Sequence, residues 1–475
     1  MVMGDLPVET QVLVLGAGPG GYAAAFRAAD LGLEVTLVTD DPTPGGVCLL
    51  RGCIPSKALL SLAELKLASG EAAAMGMRFA EPEVDLGQVR QWRDGVVGKL
   101  TDGLVKLCER RGVQLIRGRG RFQGPNHLAL EDSDYSSVDF EHAIIATGSR
   151  PVSPPGLGVR PEGRIMDSTG ALALGDVPER LLVVGGGYVG LEMGTVYAVL
   201  GSRVTLVEMA DRLLPGADTD LVRPLRRRLD ELFDAIRLET RVTRAQEDDR
   251  GVAVTLEGGN GEERFDRVLV AVGRRPNTDD IGLTEAGVAL DDQGLISVDE
   301  QRRTSQERIF AIGDAVGGVQ LAHKAMHEGK VAAEAIAGRP AAFDPRAIPA
   351  VVYTDPQVAW CGLTEDDARS QGREVTVTRF PWRASGRALT TGSEDGLTKL
   401  IMDPETGRLL GAGMVGRGAE GLIAEAVLAV EMGALAEDLA FTIHPHPTLS
   451  ETVGEAAELF GGSSTHLGRH KGAGG

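Results

Sequence analysis

The stretch QVLVLGAGPGGYAAAFRAADLGLEVTLVT, residues 11–39, decides how the rest of the chain is read. Its first five residues are a short apolar run ending at Gly16. YAAAFRAADLG has the periodicity of a helix, and LEVTLV reads as a second strand. The order strand, glycine turn, helix, strand has a specific physical use. Gly16, Gly18 and Gly21 permit a tight turn and close backbone approach, leaving the helix N-terminus free to bind a pyrophosphate. Such a turn also arises for packing alone, so one copy leaves both readings open.

A second copy narrows the choice. LLVVGGGYVGLEMGTVYAVLGSRVTLVE, residues 181–208, repeats the spacing with Gly185, Gly187 and Gly190 and ends on Glu208. A carboxylate there can hydrogen-bond a ribose 2′-hydroxyl and disfavours a 2′-phosphate, which predicts NAD rather than NADP. The first unit ends in Thr39-Asp40, making Asp40 the candidate for the same duty. HAIIATGSRP (142–151) and RVLVAVGRRPN (267–277) each read as a buried strand stopped by glycine and proline, closing a nucleotide unit. FAIGDAVGG (310–318) reads as a further strand, with Asp314 placed to accept hydrogen bonds from a polyol or to serve as an ordinary turn aspartate.

A length of 475 residues implies several domains, since one core stops growing well before that size. A composition 43% hydrophobic and 25% charged is globular. The formal charge of −19 opposes sequence-independent binding to nucleic acid or to an anionic membrane surface. No apolar run reaches the length needed to cross a bilayer, and MVMGDLPVET lacks a cationic start and an apolar signal core. The expectation is a cytoplasmic protein.

Four cysteines in so long a chain are no stapling framework. Two of them lie in GGVCLLRGCIPSK, residues 45–57. In a regular helix Cys48 and Cys53 would be about 7.5 Å apart along the axis, so a bridge needs a distorted turn, which Gly52 favours. A strained bridge closing so small a loop is easily reduced. Metal binding is the rival reading, but no Cys or His cluster nearby in sequence completes a ligand set. Cys108 and Cys361 have no partner motif and read as inert buried thiols. Near the C-terminus HPHPTLSE, residues 444–451, sets Glu451 five residues after His446. An imidazole can generate a thiolate from a neighbouring thiol while a carboxylate fixes its tautomer. His444 reads as a structural neighbour.

Together these motifs resemble the class I pyridine nucleotide-disulfide oxidoreductases, from about residue 10 to about residue 466. GGGYVGLEMG, MVGRGAEGLI and TIHPHPTLSETVG resemble the branch that oxidises dihydrolipoyl groups. The resemblance implies an α/β fold with two Rossmann-like domains, for FAD (1–150 with 280–348) and NAD (151–279). An α+β dimerisation domain (349–475) would follow, with GGSSTHLGRHKGAGG as a flexible tail. The strand-like segments PAVVYTDPQVAWCGL, KLIMD and LLGAGMVG and the amphipathic EGLIAEAVLAVEMG suit that last domain.

The same resemblance implies the roles. Cys48 would meet the substrate, Cys53 would face the flavin, and Lys57 would lie near the reactive flavin nitrogen and pair with Glu192. Such an ammonium stabilises thiolate over thiol. Cofactor contacts would fall at Gly46, Gly120, Thr147, Gly148, Ser149, Tyr188, Val242, Gly273, Asp314 and Ala322, besides the two glycine turns with Thr39, Asp40 and Glu208. Ala322 lies in the turn Leu321-Ala322-His323-Lys324, which resembles the family segment beside the flavin ring. His446 and Glu451 would act on the partner subunit of an obligatory homodimer.

Substrates would be lipoyl domains attached to the core acyltransferase of 2-oxo acid dehydrogenase complexes, or the glycine cleavage H protein. No lipoyl domain precedes residue 10, so the substrate arm is expected on another protein. The chain departs from the family at Leu50-Arg51, where Asn-Val is common; Arg51 either lowers a thiol pKa or points to solvent. Tyr188 either covers the flavin as a gate or packs in the core. Glutathione and mercuric reductases are rival members of the family. Glu208 opposes an NADP-dependent glutathione reductase, and the lack of a C-terminal cysteine pair opposes a mercuric reductase. A non-redox assembly subunit would show damaged cysteines or a damaged His446–Glu451 pair, and both are intact in the sequence.

Overall fold

Residues 7–258 and 261–468 are described by a computed structural model. The first nucleotide unit forms the strand Pro7–Leu15, the helix Pro19–Asp30 and the strand Val35–Thr39. Val12 and Val14 pack into one apolar cluster and Leu13 and Leu15 into another, so both faces of the strand are covered. That explains an unbroken apolar run where a half-exposed strand would alternate. Leu15 pairs in parallel with Val38 on one side and Ile145 on the other. Gly16 therefore leaves the sheet at its carboxyl edge, between neighbouring strands, where open α/β sheets bind ligands.

The strand Ser137–Ile145 extends this sheet, and the antiparallel hairpin Arg119–Gly124 and His127–Glu131 continues it. Much later the chain returns to it, with Ile309–Ala311 pairing in parallel with Ala143–Ile145. The helix Ala322–Ile336 packs on the first helix so closely that a Cβ on Gly329 would fall 2.5 Å from the carbonyl oxygen of Gly20.

The second unit repeats the geometry in a five-stranded parallel sheet. Val184 pairs with Val207 and Val270, so Gly185 leaves that sheet as Gly16 leaves the first. The two units are joined by the antiparallel strands Ser149–Pro151 and Arg274–Pro276. A five-stranded antiparallel sheet built from residues 350–415 follows, covered by the helices Ala419–Met432 and Glu451–Glu458. It is locked to the second unit by the buried ammonium of Lys399, which contacts Asp218 at 2.6 Å, Asp220 at 2.8 Å and also Glu365.

Two expectations need correction. The C-terminal tail is not loose over residues 461–468: the Thr465 N–H donates to Glu458 and the His466 N–H to Glu455, while Leu467 packs on the core. Glu455 and Glu458 lie about one turn apart on the preceding helix and so offer adjacent acceptors. Residues 469–475 of the expected tail, and the opening residues 1–6, lie outside the described residues. Among the described residues, the helical stretch Gly46–Met75 is long and apolar enough to cross a membrane by composition. It is interrupted at Gly52 and sends Leu59, Leu60 and Ala63 into the core.

Candidate active site

Gly45 and Gly46 start the short helix Gly46–Arg51 directly against the first glycine turn. A Cβ on Gly46, at φ +59°, would lie 2.6 Å from the Cα of Gly18. The helical path then breaks at Gly52, where a Cβ would meet the Val47 carbonyl oxygen at 2.7 Å, and resumes as Cys53–Glu71. The break turns the chain so that Cys48 and Cys53 both face the same cavity, each acting on the other's titration.

The two sulfurs are polarised in opposite senses. Cys53 is lowered to about 7 by the hydrogen bond from Cys48 and by the Lys57 ammonium, which together outweigh burial. Cys48 is held well above its ordinary value by the same hydrogen bond and by burial. Lys57 donates to both carboxylate oxygens of Glu192, at 3.0 and 2.9 Å. Glu192 is 3% exposed and also accepts the Tyr353 N–H at 3.0 Å. The Tyr353 ring lies 4.4 Å from the ammonium, a cation–π distance.

The two thiols, Lys57 and Glu192 open on a cavity of about 640 Å³. The first glycine turn lines it at Gly16 and Gly18, followed by Thr39, Asp40, Gly46 and Gly120. Thr147, Gly148, Ser149, Tyr188, Asp314 and Ala322 complete the wall near the thiols. Gly21 does not line it; a Cβ there would strike the Gly16 carbonyl oxygen at 1.8 Å, so its smallness serves the turn. A Cβ on Gly18, in contrast, would meet no protein atom within 4 Å. Glycine at that position suits close approach by something filling the cavity, and an extended dinucleotide fits a wall running from Asp40 to Cys53. Asp314 accepts from the Ser149 hydroxyl at 2.5 Å, which orients its carboxylate at the wall. Ala322 is the first residue of a helix rather than part of a turn.

The second glycine turn lies apart from this cavity. Gly185, Gly187 and Gly190 shape it, and Gly187 repeats the Gly18 observation, with nothing within 4 Å of a Cβ. Glu208 accepts the Gly186 N–H at 2.6 Å and the Ala210 N–H at 2.7 Å, one on each oxygen. Each oxygen keeps acceptor capacity for a hydroxyl. Val242 follows Thr240, whose N–H donates to the Glu208 carbonyl, and Gly273 lies in the link between the two units.

Tyr188 is 40% exposed at the cavity wall, so core packing does not explain it. Burial of its hydroxyl pushes it up to about 12. Arg51 neither activates a thiol nor points freely to solvent: it pairs with Asp41 at 2.6 Å. Cys108 and Cys361 are buried, and burial raises Cys361 to about 12.

His446 and Glu451 face each other at 2.8 Å through Nδ1. Burial works to raise the Glu451 carboxyl, but the Thr448 N–H and His446 hold it below its ordinary value. The His446 side chain is 74% exposed, and neither residue lines the cavity that holds the thiols of the same chain. His444 is nearly buried and bonds to Glu425 at 2.7 Å.

Sequence reading missed Tyr22, whose hydroxyl is raised by burial and by both thiols, together with Arg274, Asn277 and Tyr353. Arg274 and Asn277 stand in RVLVAVGRRPN, which was read only for its strand. Arg274 holds Ser149 through its hydroxyl at 2.7 Å, and Asn277 closes on the Thr147 carbonyl at 3.0 Å.

A thiol pair beside one glycine turn, a second glycine turn and a separate imidazole–carboxylate pair define a flavin- and nicotinamide-linked disulfide reductase. The chain belongs to the pyridine nucleotide-disulphide oxidoreductase family, whose model matches residues 10–329, with the family's dimerisation domain matching residues 348–457. It is an FAD- and NAD-dependent oxidoreductase and forms a homodimer.

Within that family it stands with the dihydrolipoyl dehydrogenases. The one from Vibrio parahaemolyticus is 49% identical over 468 residues, covering 98% of each chain. The one from Halobacterium salinarum is 48% identical over 473 residues, covering 98% of this chain and 99% of that one. The crystal structure of LpdA from Mycobacterium tuberculosis matches with a TM-score of 0.88 at 28% identity, over 94% of this chain and 99% of that chain.

Proposed function

We propose that the protein oxidises a protein-bound dihydrolipoyl dithiol to the cyclic disulfide with NAD⁺, taking its electrons through Cys48 and Cys53. The observation that carries this reading is the polarised thiol pair: Cys53 lowered to about 7 beside Lys57, Cys48 raised and facing the same cavity. In the oxidised enzyme a Cys48–Cys53 bond awaits the substrate. His446 of one subunit takes a proton from a dihydrolipoyl thiol. The resulting thiolate attacks Cys48, and Cys53 leaves as the better leaving group because its thiolate is stabilised. The second substrate thiol, deprotonated in turn, attacks the substrate sulfur of the mixed disulfide, forming lipoamide and releasing Cys48 as a thiolate, which takes a proton.

Lys57 holds the Cys53 thiolate, and Glu192 with Tyr353 holds Lys57. The first glycine turn, Thr147–Ser149, Asp314 and Ala322 would hold FAD, and the second turn with Glu208 would hold NAD. FAD supplies the two-electron relay from that dithiol to NAD⁺. Supply of the acid–base pair by the partner subunit accords with the exposure of His446 away from its own chain's thiols. Lipoyl domains of 2-oxo acid dehydrogenase complexes and the glycine cleavage H protein are the partners this chemistry calls for. We place the reaction in the cytoplasm, a compartment that keeps such thiols reducible.

The purified protein should reduce NAD⁺ with dihydrolipoamide and leave glutathione disulfide untouched with either reduced nicotinamide. Turnover with glutathione disulfide and NADPH but none with dihydrolipoamide would overturn the reading.

A further inference from the structure

The helix that begins with Glu451 is tied to the sheet beneath it by a buried chain of hydrogen bonds. The Trp382 Nε1–H donates to the Thr398 hydroxyl at 2.8 Å. The hydroxyls of Thr398 and Thr452 are 2.7 Å apart, and the Thr452 Oγ1 lies 2.6 Å from the Leu449 carbonyl oxygen. The two ends set the direction of the chain, because an indole N–H only donates and a carbonyl only accepts. Thr452 therefore donates to Leu449, Thr398 donates to Thr452, and every proton is committed.

The anchor is immobile. Trp382 and Thr398 are fully buried and Thr452 is 1% exposed. A Cβ on Gly396 or Gly416 would fall 2.2 or 2.1 Å from atoms of the Trp382 ring, so the indole packs directly on two glycines. The other end is the turn that carries the acid–base pair: Leu449 lies between His446 and Glu451, and Thr452 follows Glu451. A hydrogen-bond chain in a low-dielectric interior reinforces itself link by link.

We propose that Trp382, Thr398 and Thr452 are positioning residues that hold the Leu449 carbonyl and the first helical turn so that Glu451 faces Nδ1 of His446. The proposal rests on the reading of His446 and Glu451 as the group that deprotonates the dithiol.

Valine keeps the branched shape of threonine and removes the hydroxyl. The test measures two reactions of the full-length holoenzyme carrying Thr452→Val, Thr398→Val or Thr452→Ser. Oxidation of dihydrolipoamide by NAD⁺ needs the acid–base pair. Reduction of ferricyanide by NADH draws electrons from the flavin and bypasses it. Misplacing a reacting group by an ångström costs about 10²-fold, so Thr452→Val should lower kcat with dihydrolipoamide by about tenfold to a hundredfold. Ferricyanide reduction should hold its rate, and Thr452→Ser should restore dihydrolipoamide turnover.

Thr398→Val leaves the bond from Thr452 to Leu449 in place and should show the same split at smaller size; it carries the test if Thr452→Val does not fold. Equal losses in both reactions, or normal dihydrolipoamide turnover in the valine variants, overturn the proposal. A His446→Gln control separates the two failures. Full turnover in that control overturns the acid–base reading itself, whereas an inactive control beside normal valine variants overturns only the positioning.

Discussion

Replacing Lys57 by methionine keeps most of the side chain's length and removes the ammonium that stabilises Cys53. The thiol is lowered from 9.0 to about 7, first by the Cys48 hydrogen bond and then by Lys57, with burial opposing both. A neighbouring opposite charge shifts a pKa by about one unit or more, so Lys57→Met should recover a substantial part of that fall while the hydrogen bond keeps the rest. The midpoint would then move up from about 7, and the thiolate share at pH 7 would fall from about one half by several-fold, since each pKa unit is about tenfold in the ratio. The sign follows from the chemistry: the thiolate is present above the midpoint and is lost as pH falls through it. A raised midpoint therefore moves that loss to higher pH.

The assay follows the long-wavelength absorbance of the thiolate against the flavin in the two-electron-reduced holoenzyme across pH. A second effect is separable from the first. Glu192 would keep only the Tyr353 N–H, and breaking a buried pair costs about 3–5 kcal/mol, visible as a lower unfolding midpoint. Glu192 itself pushes the Cys53 thiol up, so adding Glu192→Gln should recover stability and return the thiolate midpoint part of the way. An unmoved midpoint in Lys57→Met alone would refute the assignment of the ammonium to Cys53.

Glu208→Arg should weaken NAD⁺ use and admit NADP⁺ in steady-state kinetics, because the carboxylate held by Gly186 and Ala210 would be replaced by a cation suited to a 2′-phosphate. An unchanged preference would move the ribose contact elsewhere. Cys53→Ser and His446→Ala homodimers should each be nearly inactive, while heterodimers formed by refolding mixed chains should regain up to about half of wild-type turnover, since one site carries both lesions and the other carries neither. Heterodimers that bind FAD yet stay inactive would place base and thiols on one chain. Lys399→Met should leave Asp218 without a cation and Asp220 and Glu365 sharing Arg379 alone, lowering the unfolding midpoint while turnover per folded molecule holds.

The two glycine turns were legible because each residue type answers a local demand. Gly21 avoids its own turn's carbonyl and Gly18 keeps a wall open, and both demands act within a few residues. The break at Gly52 was legible for the same reason. What pairs distant segments was not. Nothing near Lys57 announces Tyr353, which stands roughly 300 residues further along the chain and joins the site through its backbone N–H and ring face. The helix Leu86–Arg111 escaped notice because it buries few side chains and so carries no strong apolar period. Residues 461–468 have the composition of a tail but are retained by Glu455 and Glu458, and glycine and serine content says nothing about such acceptors.

The contact between Gly46 and Gly18 makes the thiol helix and the phosphate turn one mechanical part. Neither can shift without the other, because no side chain lies between them to absorb the motion. On the proposed placement of FAD at this turn, loading the dinucleotide would also set the aim of the sulfurs. A single methyl group added at Gly46 would disturb cofactor affinity and thiol reactivity together, although it belongs to neither the nucleotide fingerprint nor the cysteine pair.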